Sequence, residues 1–105
     1  MVVVGGSVPE RDEHNKLYNT SFIFDEQGRL IGRHRKIHLF DVDLIGGTVC
    51  KESSVLTPGE EITMITAAGV TLGIGICYDI RFPELSRLMT LGGANILLFP
   101  AVFGL

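Results

Sequence analysis

Cys77 closes the apolar run Thr71-Leu72-Gly73-Ile74-Gly75-Ile76 and is followed by Tyr78-Asp79-Ile80-Arg81-Phe82-Pro83-Glu84. A thiolate attacks acyl carbons well, and its reactivity depends on ionisation and access. The pattern reads as a strand, a sharp turn presenting the sulfur, and then a helix. Such a helix would aim N–H groups at the sulfur and at an oxyanion beside it. Gly73 and Gly75 permit another segment to approach closely. The plainer reading is a buried, inert cysteine, the commoner fate of a single Cys.

Lys36 lies in Arg33-His34-Arg35-Lys36-Ile37-His38-Leu39-Phe40. Strand alternation puts His34, Lys36 and His38 on one face and Arg33, Arg35 and Ile37 on the other. A lysine facing a cysteine would favour the thiolate and donate to a developing oxyanion. A solvated basic strand or a phosphate-binding patch is the alternative. Glu52 could hold that lysine or relay a proton, or be an ordinary surface glutamate. Arg81 could take a substrate carboxylate in its bidentate fork, or pair with Asp79 or Glu84. A Cys/His couple using His34 or His38 competes with the lysine arrangement. Recognised zinc spacing is missing, and a Cys50–Cys77 disulfide suits an oxidising compartment better than the reducing one the two cysteines suggest.

Pattern also gives the scaffold that would hold these groups. Val2-Val3-Val4 is a short buried strand that Gly5 to Pro9 extends or bends, and Glu10 to Lys16 reads as a surface loop. Leu17–Asp25 and Leu30–Ile37 form a hairpin about the turn Glu26-Gln27-Gly28-Arg29. Phe40 to Pro58 is irregular, which in a compact domain usually signals function or a misread element. Ile62–Thr66 and Val70–Cys77 are two strands joined at Ala68-Gly69. Pro83 suits a first helical turn, Leu85, Leu88 and Met89 mark its buried side, and Gly92-Gly93 ends it. Asn95–Phe99 is a further strand, so the last third implies a parallel crossover.

The 105 residues suffice for one small domain or part of a larger one, and 46% are hydrophobic, enough for a core. A net charge of −3 is not that of a dedicated nucleic-acid binder. The longest apolar run, Ala94 to Leu105, is too short for a membrane span, and no basic leader precedes Val2-Val3-Val4. The cytoplasm is the default location. Both ends are abrupt, which suggests a fragment.

Arg35-Lys36-Ile37-His38-Leu39-Phe40-Asp41, Lys51-Glu52-Ser53, Pro58-Gly59 and Gly73 through Glu84 together resemble the nitrilase superfamily of carbon–nitrogen hydrolases. Gly5 to Glu10 and Leu17-Tyr18-Asn19-Thr20 extend the resemblance, which is nearest to the ω-amidase branch. It implies an α+β fold: a single partial domain over 1–105, truncated at both ends, from the centre of a four-layer α-β-β-α sandwich. It also implies a Glu–Lys–Cys triad with Cys77 as nucleophile and Lys36 as the lysine. Glu52 falls on a second active-site glutamate, the Tyr78 N–H joins Lys36 in the oxyanion hole, and Arg81 faces the substrate carboxylate. The implied substrate is a short linear ω-amide such as α-ketoglutaramate, with no metal or organic cofactor and with homodimers at full length. The triad's first glutamate is matched by none of Glu10, Glu13 or Glu26, so the segment alone is expected to be nearly inactive. The stretch Leu44 to Cys50 departs from the ω-amidase pattern. A non-catalytic assembly piece docking through exposed strands is the rival reading, and a basic-strand nucleic-acid binder a weaker third.

Overall fold

The computed structural model describes residues 1–43, 46 and 49–102. Most of the Leu44–Cys50 departure therefore lies outside the described residues, as does the end of the chain from 103 onward. Two three-stranded sheets face each other.

The first sheet holds β1 (Val3–Arg11), β2 (Leu17–Phe24) and β3 (Leu30–Arg35), antiparallel in that order. The β1–β2 turn is shorter than the charged composition suggests, because β1 continues through Glu10 and Arg11. Asp12 makes the turn by accepting the N–H groups of His14 and Lys16 on one oxygen, at 3.0 and 2.8 Å. Asp25 does the same for Gln27 and Arg29 at the next turn, where Gly28 takes φ +77°. A register shift between Val4 and Ser7 bends β1. Ser21 steadies the bend by donating to the Gly5 carbonyl at 2.7 Å.

The stretch from Phe40 to Pro58 is not wholly irregular. It contains the hairpin β4 (Asp41–Asp43) with β5 (Val49–Lys51), then a 3₁₀ turn at Glu52–Ser54. Three-residue arms are too short to show an alternation in sequence. Asp41 closes the hairpin on the turn, accepting the Ser53 N–H at 3.0 Å and its hydroxyl at 2.6 Å.

The second sheet holds β6 (Thr63–Ala67), β7 (Val70–Ile74) and β8 (Ile96–Leu98), with β7 central. β6 and β7 are antiparallel; β7 and β8 are parallel and joined through α1 (Pro83–Leu91). Alternation on β7 divides its two faces. Leu72 and Ile74 meet Ile23 of β2 between the sheets. Gly73 faces the other way, where a Cβ would strike Met89 of α1 and Leu97. The glycine therefore sets how closely the helix lies on the sheet. Leu85 and Met89 are buried beneath α1, whereas Leu88 is 53% exposed, so the helix buries a narrower stripe than its three apolar positions suggest. No helix of the described residues is long and apolar enough to cross a membrane.

Candidate active site

Beyond β7 the backbone turns sharply. Cys77 takes φ +45°, a left-handed conformation that costs a non-glycine residue roughly 1–3 kcal/mol. Parallel pairing continues past the regular strands and holds it there: Gly75 N–H donates to Leu98 O and Cys77 N–H to Pro100 O, both at 2.9 Å. The chain then runs through a 3₁₀ turn, Cys77–Arg81, and α1 begins only at Pro83. The helix begins at Pro83 as expected, because proline favours the first helical turn and disfavours helical geometry in the residue before it, so a 3₁₀ turn and not the helix follows the sulfur directly. The sulfur is a free, partly exposed thiol, with the Val102 carbonyl 4.0 Å away. The Tyr78 N–H has no acceptor among the described residues.

β3 carries the second group. Its alternation buries His34 and leaves Arg33 exposed and Arg35 partly so. Just past the strand, Lys36 N–H still donates to Asn19 O of β2, and Gly59 N–H donates to Lys36 O, both at 2.8 Å. The Lys36 side chain is 2% exposed, and Nζ donates to Glu52 Oε1 at 2.6 Å. That same oxygen accepts the Phe40 N–H at 3.1 Å, so the 3₁₀ turn after β5 delivers Glu52 to Lys36. A buried ammonium is tolerable because the carboxylate pairs it. Lys36, Glu52 and Cys77 line one open cavity of about 690 Å³. Gly6, Ser7 and Asn19 form its first-sheet wall, and Pro100, Ala101 and Val102 its rim. Neither Arg81 nor a histidine lines it.

A third group joins these two. Asp79 is wholly buried in the turn after Cys77 and receives four donors. Oδ2 accepts Ile76 N–H at 2.9 Å and His34 Nε2 at 3.1 Å. Oδ1 accepts His38 N–H and His38 Nδ1, both at 2.8 Å. Burial pushes its carboxyl up, but the hydrogen bonds from His34, Ile76 and His38 together outweigh it and hold the pKa below the ordinary value. Both imidazoles thus bond Asp79, and neither lines the cavity that holds Cys77. His38 also stacks on Phe82, ring centroids 3.6 Å apart. From sequence, Asp79 reads only as a partner for Arg81. Its place three residues after Ile76, where a short carboxylate can turn back on a backbone N–H, is the signal that points to its real role.

Arg81 is exposed and forms no ion pair among the described residues, so neither Asp79 nor Glu84 takes it. The Tyr78 ring packs edge-on against Phe40 and Phe82, and Tyr78 is not among the residues that line the cavity. Among the described residues, no group of three His, Cys, Asp or Glu side chains is arranged to hold a metal ion.

The carbon-nitrogen hydrolase family model matches residues 1–104. The chain belongs to that family. A hydrolase of Schizosaccharomyces pombe is 50% identical over 101 residues, covering 96% of this chain and 31% of its own. The ω-amidase NIT3 of Saccharomyces cerevisiae is 49% identical over 104 residues, covering 98% of this chain and 36% of its own. The crystal structure of S. cerevisiae Nit3, a member of branch 10 of the nitrilase superfamily, superposes with a TM-score of 0.85 at 45% identity. That match covers 98% of this chain and 35% of the Nit3 chain. The α+β architecture is thus that of nitrilase-superfamily proteins, and the chain spans about a third of the length of the curated relatives it matches.

Proposed function

We propose that these residues supply the nucleophile, lysine and second glutamate of a thiol amidohydrolase acting on short linear ω-amides, α-ketoglutaramate being the first candidate. The observation that carries this reading is one cavity lined by Cys77 and by the buried Lys36–Glu52 pair. Its likeness to a yeast ω-amidase supports the substrate class.

The Cys77 sulfur attacks the amide carbon, a C–S bond forms, and the carbonyl electron pair moves onto oxygen. Lys36 Nζ and the uncommitted Tyr78 N–H stabilise that oxyanion. The C–N bond breaks as nitrogen takes the proton lost by sulfur, and ammonia leaves a thioester. Water then adds to the thioester, releasing the acid and restoring the thiol. Glu52 holds Lys36 in line. Arg81 lies outside the cavity lining, but it is exposed and without an ion pair among the described residues, and its role here is to take the far carboxylate of a substrate that extends beyond the cavity. Glu52 is the single carboxylate among the described lining residues, and Lys36 engages it. A separate general base is therefore needed, and losing such a base costs about 10²–10⁴-fold. The segment alone should turn over little.

The test is a chimera in which this chain replaces the matching span of yeast Nit3. It should release ammonia from α-ketoglutaramate, and Cys77→Ala should stop it. A folded chimera that hydrolyses no short ω-amide, or one indifferent to Cys77→Ala, sinks the reading. Dimerisation of the full-length form belongs to the same proposal and is read by sedimentation.

A further inference from the structure

The cavity brings together residues from two sheets that are far apart along the chain, and backbone pairing alone does not join them. Cys77 is held to the second sheet through Pro100, and Lys36 to the first through Asn19. Among the described residues, the polar link directly between their two segments is Asp79. One of its oxygens takes the N–H of Ile76, the residue before the nucleophile. The other takes the N–H of His38, two residues beyond the lysine. His34, two residues before the lysine, completes the bracket through Nε2 and fastens its Nδ1 to Thr63 Oγ1 of β6 at 2.9 Å.

We propose that Asp79 is a positioning residue: it clasps the Cys77 turn to the Lys36 segment and thereby fixes the sulfur against the ammonium. The role serves the thiol hydrolysis proposed above and rests on that reading. The chemistry of the side chain explains why aspartate is needed. Four donors converge on two oxygens, and an ionised carboxylate is acceptor-only. In Asp79→Asn one oxygen becomes an NH₂ group. Facing Ile76 and His34, it leaves the Ile76 N–H without an acceptor, although the imidazole can change tautomer. Facing His38, it leaves that N–H without one. Each orientation cuts one of the two backbone tethers and spares the other. Glutamate adds a methylene in a site with no exposed surface, so it cannot restore the geometry.

The test uses the 105-residue chain and reads the charge beside the sulfur. Cys77 is alkylated with anionic iodoacetate and with neutral iodoacetamide, each rate being followed by peptide mass spectrometry. The ratio of the two rates cancels access and thiolate fraction and reports the net charge near the sulfur. Lys36→Gln should lower it about three-fold, the size of one nearby charge in a watery cavity. Because Asp79→Asn itself removes an anion, the clasp is read from the Lys36→Gln effect in the Asp79→Asn background, measured below its thermal transition, where that effect should nearly vanish. In the His38→Gln background, which keeps the backbone tether and loses the ring, it should shrink less, and that background serves if Asp79→Asn does not fold. A Lys36→Gln effect kept at about three-fold in the folded backgrounds overturns the clasp. The readout needs no turnover: an inactive chimera with this pattern ends the amidase reading alone, and an active chimera in which the Lys36→Gln effect survives Asp79→Asn ends the clasp alone.

Discussion

The two faces of β3 each carry a carboxylate that gathers cationic or imidazole donors, and they differ in what they connect. On the outer face Glu10 takes Arg35 in a two-point pair at 3.0 and 3.0 Å and Arg33 at 2.9 Å, with Thr20 donating at 2.7 Å. Arg35 also lies over the Tyr18 ring, 4.0 Å from its centroid. All of these residues belong to the first sheet. On the inner face Asp79 and Glu52 receive His34, His38 and Lys36, and they come from two 3₁₀ turns outside the first sheet, Cys77–Arg81 and Glu52–Ser54. The outer cluster braces one sheet; the inner one joins two. The difference follows from strand alternation, which sends odd-numbered arginines outward and even-numbered His34 and Lys36 inward. Arg33 and Arg35 both pair with Glu10, which engages their donors and offsets one of their two charges.

Breaking the inner cluster at its chemistry should have the largest effect. In the chimera, Lys36→Met should lower kcat by about 10²–10³-fold, the usual loss of an oxyanion donor. Stopped-time ammonia assays over a substrate series would show it, and a kcat within a few-fold of the parent would contradict it. Asp79→Ala comes next. It strands several buried donors at once and should cost ~3 kcal/mol or more, read from urea unfolding of the chain. Gly73→Ala is smaller. The added methyl meets Met89 and Leu97 and should cost about 1–3 kcal/mol, with the midpoint of unfolding lowered. Glu10→Gln, on the outer face, should cost about 1–2 kcal/mol, because it weakens charge-assisted hydrogen bonds within one sheet, and should leave the Cys77 alkylation ratio unchanged.

Acid sharpens the same contrast. The hydrogen bond from Arg35 chiefly draws the Glu10 carboxyl from 4.5 down to about 2, against a smaller opposing effect of burial. Asp79 is likewise depressed. A folded-state pKa below the unfolded one means that the unfolded chain binds more protons. The stabilisation from Glu10 is thus complete above about pH 4.5 and fades as pH falls toward 2. Unfolding midpoints measured from neutral pH downward should decline over that window. Glu10→Gln should flatten part of the decline, and a slope unaffected by it would contradict the assignment.

Much of this site is legible in the sequence because its chemistry sits in short, ordered motifs. The apolar run into Cys77, the alternation around Lys36 and the glycines of β7 each have a local physical meaning. The two hairpins about Gly28 and Ala68-Gly69 are legible for the same reason. The features that escape are long-range or masked by composition. Glu10 is charged and reads as loop, although it pairs with Tyr18 across the sheet and anchors two arginines. The β4–β5 hairpin has arms too short for a period. Asp79 reads in sequence only as a partner for Arg81, because His34 and His38 lie in another sheet's segment, which spacing cannot reveal.

The most direct measurement is rapid-quench mass spectrometry of the chimera mixed with α-ketoglutaramate. The expected result is a transient acyl adduct on the Cys77 peptide, formed before steady ammonia release and slowed by Lys36→Met. Ammonia release with no adduct on Cys77 at any quench time, undiminished in Cys77→Ala, would contradict it.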